Sequence, residues 1–176
     1  MMNVKLFTRN LRKQAGASLL EILAYLGVAS VVIAGAVSLL GSAMSGADTN
    51  KVISEVNGLR VGVRSLFAGQ NNYGVGSLNT LLINAKAIPA TLQTNAGAGT
   101  ITNVWNGAVV ITGSTQNFSV SYASVPQDAC IKLASMSINS VQGITVNGAG
   151  LAMPVTAAAA SGACGAATNT IVWTAN

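Results

Sequence analysis

The chain has 176 residues, of which 51% are hydrophobic and only 7% are charged, and it contains no histidine. This length suits one domain with an additional element, and the composition excludes both a typical cytosolic protein surface and a disordered chain. Acid–base catalysis and metal sites mostly use histidine and carboxylate side chains, and this chain has no histidine and only 4 carboxylates. We therefore expect neither an enzyme nor a bound cofactor.

The positive charge is concentrated at the N-terminus. Residues 1–16 contain four Lys or Arg and no acid, whereas the remainder of the chain has a net charge of only +1. A basic surface for nucleic acid is therefore not indicated, and we expect no specific nucleic-acid partner. The next segment, Ile22 to Ala47, is 26 residues without a charge and is long enough to span a bilayer. The positive-inside rule places residues 1–16 in the cytoplasm and the rest of the protein outside it.

Glu21 lies at the edge of this apolar segment. A charge at membrane depth costs about 2.5 to 3.5 kcal/mol on insertion scales and by default marks a functional position. A conventional signal sequence, cleaved near Ser45-Gly46-Ala47, is the alternative interpretation. Its apolar part would normally be only about 7 to 15 residues long, so the length of the run argues against it.

The segment Gly16-Ala17-Ser18-Leu19-Leu20-Glu21, followed by a long apolar stretch, resembles the prepilin processing site of the type IV pilin family. The resemblance implies that residues 1–16 are a leader peptide, which a prepilin peptidase removes by cleaving between Gly16 and Ala17. The new N-terminus would be methylated, although Ala17 departs from the family's usual large apolar first residue. A leader of this length is typical of the type IVb subclass.

Under the same resemblance Glu21 becomes the fifth mature residue, which the family needs for assembly. An unpaired carboxylate in the apolar core of a filament is costly. The N-terminal amine of a neighbouring subunit can neutralise it only when the two subunits are in register. Glu21 is therefore the predicted determinant of subunit stagger.

Helical periodicity continues beyond the apolar segment. The sequence predicts one helix from Ala17 to about Phe67, with residues 17–47 as its transmembrane or filament-core half and residues 48–176 as an extracytoplasmic head. The apolar stripe of its second half is Val52, Val56, Leu59, Val63 and Leu66, with Lys51, Glu55, Arg60 and Arg64 off the stripe.

Small residues recur at intervals of four in the first half of this helix: Ser30, Ala34, Ser38, Ser42 and Gly46. Such rows let helix backbones approach closely within a membrane or a filament core. Membrane helices are generally rich in small residues, which is the alternative explanation. The presence of Glu21 favours packing between helices of different subunits.

The head is predicted to be an antiparallel sheet with short helices. A short helix is expected around Ser77 to Lys86 and another from Pro126 through Met136. The predicted strands are Gly107–Thr112 and Asn117–Ala123, which form a hairpin, followed by Gly143–Asn147, Leu151–Val155 and Thr170–Thr174. Ala157 to Ala167 is predicted to be a loop. The predicted fold class is α+β, with a long N-terminal helix packed on the antiparallel sheet.

The chain has 2 cysteines, Cys130 and Cys164, and both follow the apolar segment. Outside the cytoplasm they can form a structural disulfide. A metal or redox site would need a closer pair such as C-x-x-C, which the sequence lacks. We therefore predict a Cys130–Cys164 disulfide.

Three segments of the head also resemble type IVb pilins: Asn84-Ala85-Lys86 with Pro89, Asn103-Val104-Trp105-Asn106-Gly107, and Val125-Pro126-Gln127-Asp128-Ala129-Cys130. The resemblance implies the pilin α/β-roll and a major structural subunit, stored in the inner membrane as a prepilin. The subunit would polymerise with itself into an extracellular helical filament for adhesion, aggregation or conjugation. Its other partners would be the prepilin peptidase, the pilus assembly machinery and, before assembly, the membrane.

Two other functions fit the sequence. One is a pseudopilin of a type II secretion system, which forms a short, piston-like assembly. The other is an anchored or secreted binding module that follows a conventional signal sequence.

Overall fold

The computed structural model describes residues 18–70, 72–136 and 141–176, without the side chain of Ser42. The chain divides into two compact units, Met1–Gly41 and Ser42–Asn176. The helices are α1 (Leu19–Leu66), α2 (Asn79–Asn84), α3 (Gln127–Ser135) and α4 (Ala157–Ala163). The strands are β1 (Gly76–Ser77), β2 (Gln93–Asn95), β3 (Thr100–Thr102), β4 (Ala108–Gly113), β5 (Phe118–Pro126), β6 (Val141–Val146), β7 (Ala149–Leu151) and β8 (Thr168–Ala175).

Helix α1 is 48 residues long and belongs to both units. The predicted helix is confirmed over the described residues, where it begins at Leu19 and ends at Leu66. Its part in the second unit carries the predicted apolar stripe, and Val52, Val56, Leu59 and Val63 are all fully buried. Each such side chain contributes about 1.5 to 3 kcal/mol through removal from water, so packing rather than helix propensity fixes this part of α1.

The second unit, which we call the head, contains one eight-stranded sheet among the described residues, in the order β2-β3-β4-β5-β8-β6-β7 with β1 paired to β4. All of these pairs are antiparallel. The predicted β4–β5 hairpin, the strands β6 and β8, and the helix α3 after Pro126 are confirmed. The long strands β5 and β8 lie side by side at the centre, and their buried residues alternate with less buried ones.

The core lies between α1 and the central strands. Its largest fully buried side chains are Trp173 on β8, and Tyr122 and Phe118 on β5. The ring of Tyr122 meets that of Trp173 edge-on, with centroids 5.7 Å apart. This arrangement of a long helix on an antiparallel sheet is the predicted α+β fold.

Two predicted elements of the head are wrong. Residues 157–167 do not form a loop throughout, because α4 occupies Ala157–Ala163 and the Thr156 hydroxyl accepts a hydrogen bond from the Ala159 amide at 3.2 Å. Alanine has the highest helix propensity, and with a threonine N-cap it outweighs the absence of large apolar residues.

The predicted strand Leu151–Val155 is displaced towards the N-terminus, since β7 is Ala149–Leu151. Asn147 and Gly148 have positive φ angles of 51° and 84° and form a two-residue hairpin turn. β7 therefore begins directly after this turn. Pro154 has no amide hydrogen to donate to a ladder, which disfavours the predicted strand end.

Candidate functional site: an exposed apolar helix and a cross-linked head

The first described part of α1 has an exposed apolar surface. Every residue from Ser18 to Gly41 is exposed. Leu19, Leu39 and Val31 have exposed fractions of 79%, 75% and 73%. By length and composition α1 is able to cross a membrane. Lipid or other helices must cover so large an apolar surface, because water does not accommodate it.

Glu21 lies in the first turn of α1, where the positive end of the helix dipole favours a carboxylate. The hydroxyl of Tyr25, one turn further on, donates a hydrogen bond to Glu21 Oε1 at 3.4 Å. Tyr25 was not among the predicted site residues. The spacing of four between a carboxylate and a phenol in an apolar helix is the signal that could have identified it.

The small-residue row lies along α1 as predicted, and three of its members, Ser30, Ala34 and Ser38, are exposed. The Ser30 hydroxyl donates to the carbonyl oxygen of Gly27 in its own helix at 2.7 Å, so its polar atom is satisfied within α1. The fourth member, Ser42, has no described side chain. The last, Gly46, is half-buried in the head, and a Cβ added there meets nothing within 4 Å. Packing of this row against another helix stays a prediction.

The predicted cleavage site, Gly16 and Ala17, and the leader of residues 1–16 lie outside the described residues. Cleavage and methylation therefore stay predictions.

The disulfide between Cys130 and Cys164 is present, with the two Cα atoms 5.9 Å apart. It joins α3 to the C-terminal end of α4, and both cysteines are fully buried. The bond closes a sequence separation of 34 residues. It therefore fixes α3 and α4 to one another beside the central strands.

A second connection attaches α3 to α1 within the head. The hydroxyl of Ser45 on α1 donates to Asp128 Oδ2 in the first turn of α3. This hydrogen bond is the main reason that the pKa of Asp128 lies below its usual value. Asp128 is thus a contact of α1, although it is exposed on the surface of α3.

Glu55 is predicted to lie off the apolar stripe of α1, yet it is only 1% exposed. Its Oε2 accepts a hydrogen bond from the Tyr122 hydroxyl at 3.3 Å, whereas Oε1 is buried without a hydrogen-bond partner. Glu55 lies three residues after Val52 and four before Leu59, so the helical spacing itself could have indicated its burial.

Arg60 is also predicted to lie off the stripe, and it too is buried, with 7% of the residue exposed. Its Nη1 donates a hydrogen bond to Asn57 Oδ1 at 3.2 Å.

The segment Asn103–Gly107 is a structural turn in the head. Asn103 Oδ1 accepts from the amides of Trp105 and Gly107 at 2.9 and 2.8 Å, and its Nδ2 donates to the Ala123 carbonyl at 2.8 Å. A Cβ on Gly107 would lie 1.9 Å from that same carbonyl oxygen, so only glycine fits there. This segment positions β4 against β5.

A groove of about 630 Å³ lies between the head part of α1 and residues 85–89. Val61 and Leu66 are among its lining residues, and Lys86 is its one ionisable lining residue among those described. The described residues also contain no cluster of three or more His, Cys, Asp or Glu that could hold a metal ion. The groove provides no acid–base pair among its described lining residues.

Comparison with known proteins decides the family. A protein-family model described as PilS N terminal matches residues 46–176, which is most of the chain. The chain belongs to the PilS N-terminal family. A search of curated proteins found no match.

Solved structures give the fold. The crystal structure of a type IV b pilin from Salmonella typhi is 28% identical, with a TM-score of 0.57, and the match covers 69% of this chain and 95% of that one. TcpA, a type IV pilin from Vibrio cholerae El Tor biotype, is 13% identical with a TM-score of 0.52, over 73% of this chain and 99% of that one. This PilS-family chain thus has the fold of type IV pilins.

Proposed function

We propose that this PilS-family protein is the major structural subunit of a type IVb pilus and has no catalytic activity. It is stored in the inner membrane as a prepilin, cleaved after Gly16, and polymerised through α1 into an extracellular filament. The observation that carries the proposal is the exposure of every residue from Ser18 to Gly41 on an apolar helix. The similarity to the type IV b pilin from Salmonella typhi supports it.

The apolar half of α1 serves twice in this proposal. In the precursor its exposed side chains lie in lipid, where they are as stable as in a protein core. In the filament the same side chains contact the helices of other subunits, and the small-residue row allows these helices to approach closely. The heads coat the filament and keep the apolar surface away from water.

Glu21 controls which packing of the subunits is stable. After cleavage, the amine of Ala17 on an incoming subunit is the cation that can neutralise Glu21 on a subunit already in place. A misplaced subunit would leave both charges buried and unpaired, which is strongly unfavourable. Glu21 therefore selects one stagger between neighbouring subunits.

N-terminal sequencing of the mature protein from producing cells tests the cleavage. We expect a sequence that begins at Ala17. An intact Met1, or a start near Ala47, would contradict the proposal and favour an anchored or secreted module. Electron microscopy of filaments sheared from the cell surface, with mass analysis of their subunit, tests whether this chain is the main component.

A Glu21→Ala variant tests the register role. We expect cleaved protein to accumulate in the membrane while surface filaments disappear. Asp48→Asn, which removes a half-buried carboxylate further along the same helix, is the control and should leave filaments at the level of the unmodified protein. Normal filaments from Glu21→Ala would overturn the role of Glu21 in assembly.

A further inference from the structure

We propose that Tyr25 is a positioning residue for Glu21: its hydroxyl holds one carboxylate oxygen within the helix and leaves the other to meet a second copy of this chain. The inference rests on the proposed assembly role of Glu21. It adds a residue that the sequence analysis did not assign to any function.

The first argument is the isolation of the pair. From Leu19 to Ala29, Glu21 and Tyr25 are the only residues whose side chains carry polar atoms. Their apolar neighbours Ile22, Leu23 and Leu26 are exposed and have no hydrogen to donate. Within α1, which begins at Leu19, Tyr25 is therefore the side-chain donor nearest in sequence to Glu21, and the hydroxyl of Ser18 belongs to a residue that precedes the helix.

The second argument is the geometry. The Tyr25 hydroxyl lies 3.4 Å from Glu21 Oε1, and the spacing of four residues places both side chains on one face of α1. The bond engages a single carboxylate oxygen. Oε2 retains its capacity to accept a hydrogen bond, so an ammonium group of another subunit can approach it without first breaking the bond to Tyr25.

The consequence is a preorganised carboxylate. Fixing the Glu21 side chain before docking reduces the conformational entropy that docking must remove, and this strengthens the contact between subunits. A phenol is well suited to the task, because its ring is compatible with lipid while its hydroxyl is a good donor. A subunit without this hydroxyl would present a carboxylate that samples several rotamers.

Two variants of the full chain separate the donor from the ring. Tyr25→Phe keeps the ring and removes the hydroxyl, whereas Tyr25→Gln removes the ring and keeps a donor four residues from the carboxylate. The readout is the amount of sheared surface filament relative to cleaved subunit in the membrane. Tyr73→Phe, which removes a hydroxyl from the head, is the matched control.

We expect Tyr25→Phe to lower the filament yield by about three- to tenfold, as the loss of one hydrogen bond of typical net strength implies. Tyr25→Gln and Tyr73→Phe should stay close to the unmodified protein. A normal yield from Tyr25→Phe, or an equal loss from Tyr25→Gln, would overturn the role of the hydroxyl. Normal filaments from Glu21→Ala would instead overturn the assembly role of Glu21 on which this inference rests, and a lack of filaments from the unmodified protein would overturn the proposed function, so the failures are distinguishable.

A measurement that does not depend on filaments tests the contact itself. The full chain, labelled with 3-fluorotyrosine and reconstituted in phospholipid vesicles, gives a ¹⁹F NMR signal for Tyr25 that Tyr25→Phe identifies. We expect this signal to move in Glu21→Leu and to stay in place in Ser30→Ala, five residues beyond Tyr25. If the ¹⁹F chemical shift of Tyr25 is the same in Glu21→Leu as in the unmodified protein, the two side chains do not interact and the proposal is overturned.

Discussion

The Tyr122 hydroxyl donates to Glu55 Oε2 at 3.3 Å and thereby fixes a carboxylate of α1 to the central strand β5 inside the head. Both residues are buried, with 1% of Glu55 and none of Tyr122 exposed. A carboxylate in such a place is costly unless it is hydrogen-bonded. The pair is therefore a buried hydrogen bond that connects α1 to β5 in a mainly apolar core.

Removal of the Tyr122 hydroxyl should destabilise the head. In Tyr122→Phe, Glu55 loses a partner and stays buried, so we expect the free energy of unfolding to fall by about 1 to 3 kcal/mol. Urea unfolding of the full chain in detergent, followed by tryptophan fluorescence, measures this. Tyr73→Phe retains the ring contacts with Phe67 and Phe118 at 5.6 and 5.0 Å and should cost much less. If both variants lower the free energy of unfolding equally, the hydrogen bond to Glu55 does not contribute more to stability than the Tyr73 hydroxyl does.

The same residue predicts a dependence on alkaline pH. Burial, followed by the charge and the hydrogen bond of Glu55, raises the pKa of Tyr122 above its usual value of about 10. In the unfolded chain the phenol ionises near that value, while in the folded head it stays protonated. The unfolded state therefore binds fewer protons above about pH 10, and stability should fall there by up to about 1.4 kcal/mol per pH unit.

Comparison with Tyr122→Phe isolates this contribution from that of the lysines. Between about pH 10 and pH 11.5 the unmodified protein should lose stability more steeply than the variant, and below about pH 9 the two curves should run parallel. Parallel curves over the whole range would contradict the assignment.

The sequence predicts α1, the β4–β5 hairpin and the disulfide because each has a clear signal: apolar periodicity, alternation around a turn, and 2 cysteines that both follow the apolar segment. The strands β1, β2 and β3 were not predicted, since they are only 2 or 3 residues long and β2 is entirely exposed. Such strands depend on the neighbouring strand rather than on their own residues.

The predictions that Glu55 lies off the buried stripe and that residues 157–167 form a loop fail for a different reason. A charged residue beside an apolar stripe is normally solvated, and only the arrival of Tyr122 from β5, 67 residues later in the chain, gives its carboxylate a buried partner. In α4, an alanine-rich segment has no apolar periodicity to detect. Its helix is held by the Thr156 cap and by the disulfide at Cys164. The burial of Glu55 thus depends on a distant contact, whereas α4 depends on its local alanine propensity and its cap as well as on the disulfide.

The Ser45 contact with Asp128 predicts an acid-dependent link between α1 and α3. The pKa of Asp128 is lowered mainly by this hydrogen bond, so the link contributes stability above the unfolded pKa of about 4 and is lost as pH falls through the folded value. In Ser45→Ala the Asp128 carboxyl should titrate at higher pH, as ¹³C NMR of the side chain would show. Because Asp128 is largely exposed, we expect a stability loss at pH 7 of well under about 1 kcal/mol.

Ser135→Ala is the control for this titration. Its hydroxyl, at the other end of α3, donates to the Ile131 carbonyl at 2.8 Å. It should leave the titration of Asp128 unchanged. A Ser45→Ala variant in which Asp128 titrates as before would contradict the hydrogen bond.

The disulfide should stabilise the head by restricting the unfolded chain. A cross-link over 34 residues is expected to contribute about 3 to 4 kcal/mol on the chain-entropy estimate. Cys130→Ser with Cys164→Ser should lower the free energy of unfolding by an amount of that order. Chemical denaturation of the oxidised protein and of the double variant measures it. A difference below about 1 kcal/mol would show that the cross-link has little weight in the fold.

Two glycines on the head part of α1 predict a steric requirement for the loop of residues 85–89. A Cβ at Gly62 would lie 2.4 Å from the Ala87 carbonyl oxygen, and one at Gly58 would lie 2.8 Å from Pro89 Cγ. Backbone atoms cannot yield as a flexible side chain does, so Gly62→Ala should cost about 1 to 3 kcal/mol, with Gly58→Ala less severe.

Gly46→Ala is the matched control, because it makes the same change in the same helix where a Cβ meets nothing within 4 Å. Alanine is the better helix former, so this variant should keep or raise the stability of the head by up to about 1 kcal/mol. Thermal unfolding of the three variants tests the order Gly46→Ala, Gly58→Ala, Gly62→Ala from most to least stable. If Gly62→Ala and Gly46→Ala unfold at the same temperature, residues 85–89 can move away from α1 at no cost. The close packing of the two segments then does not contribute to stability.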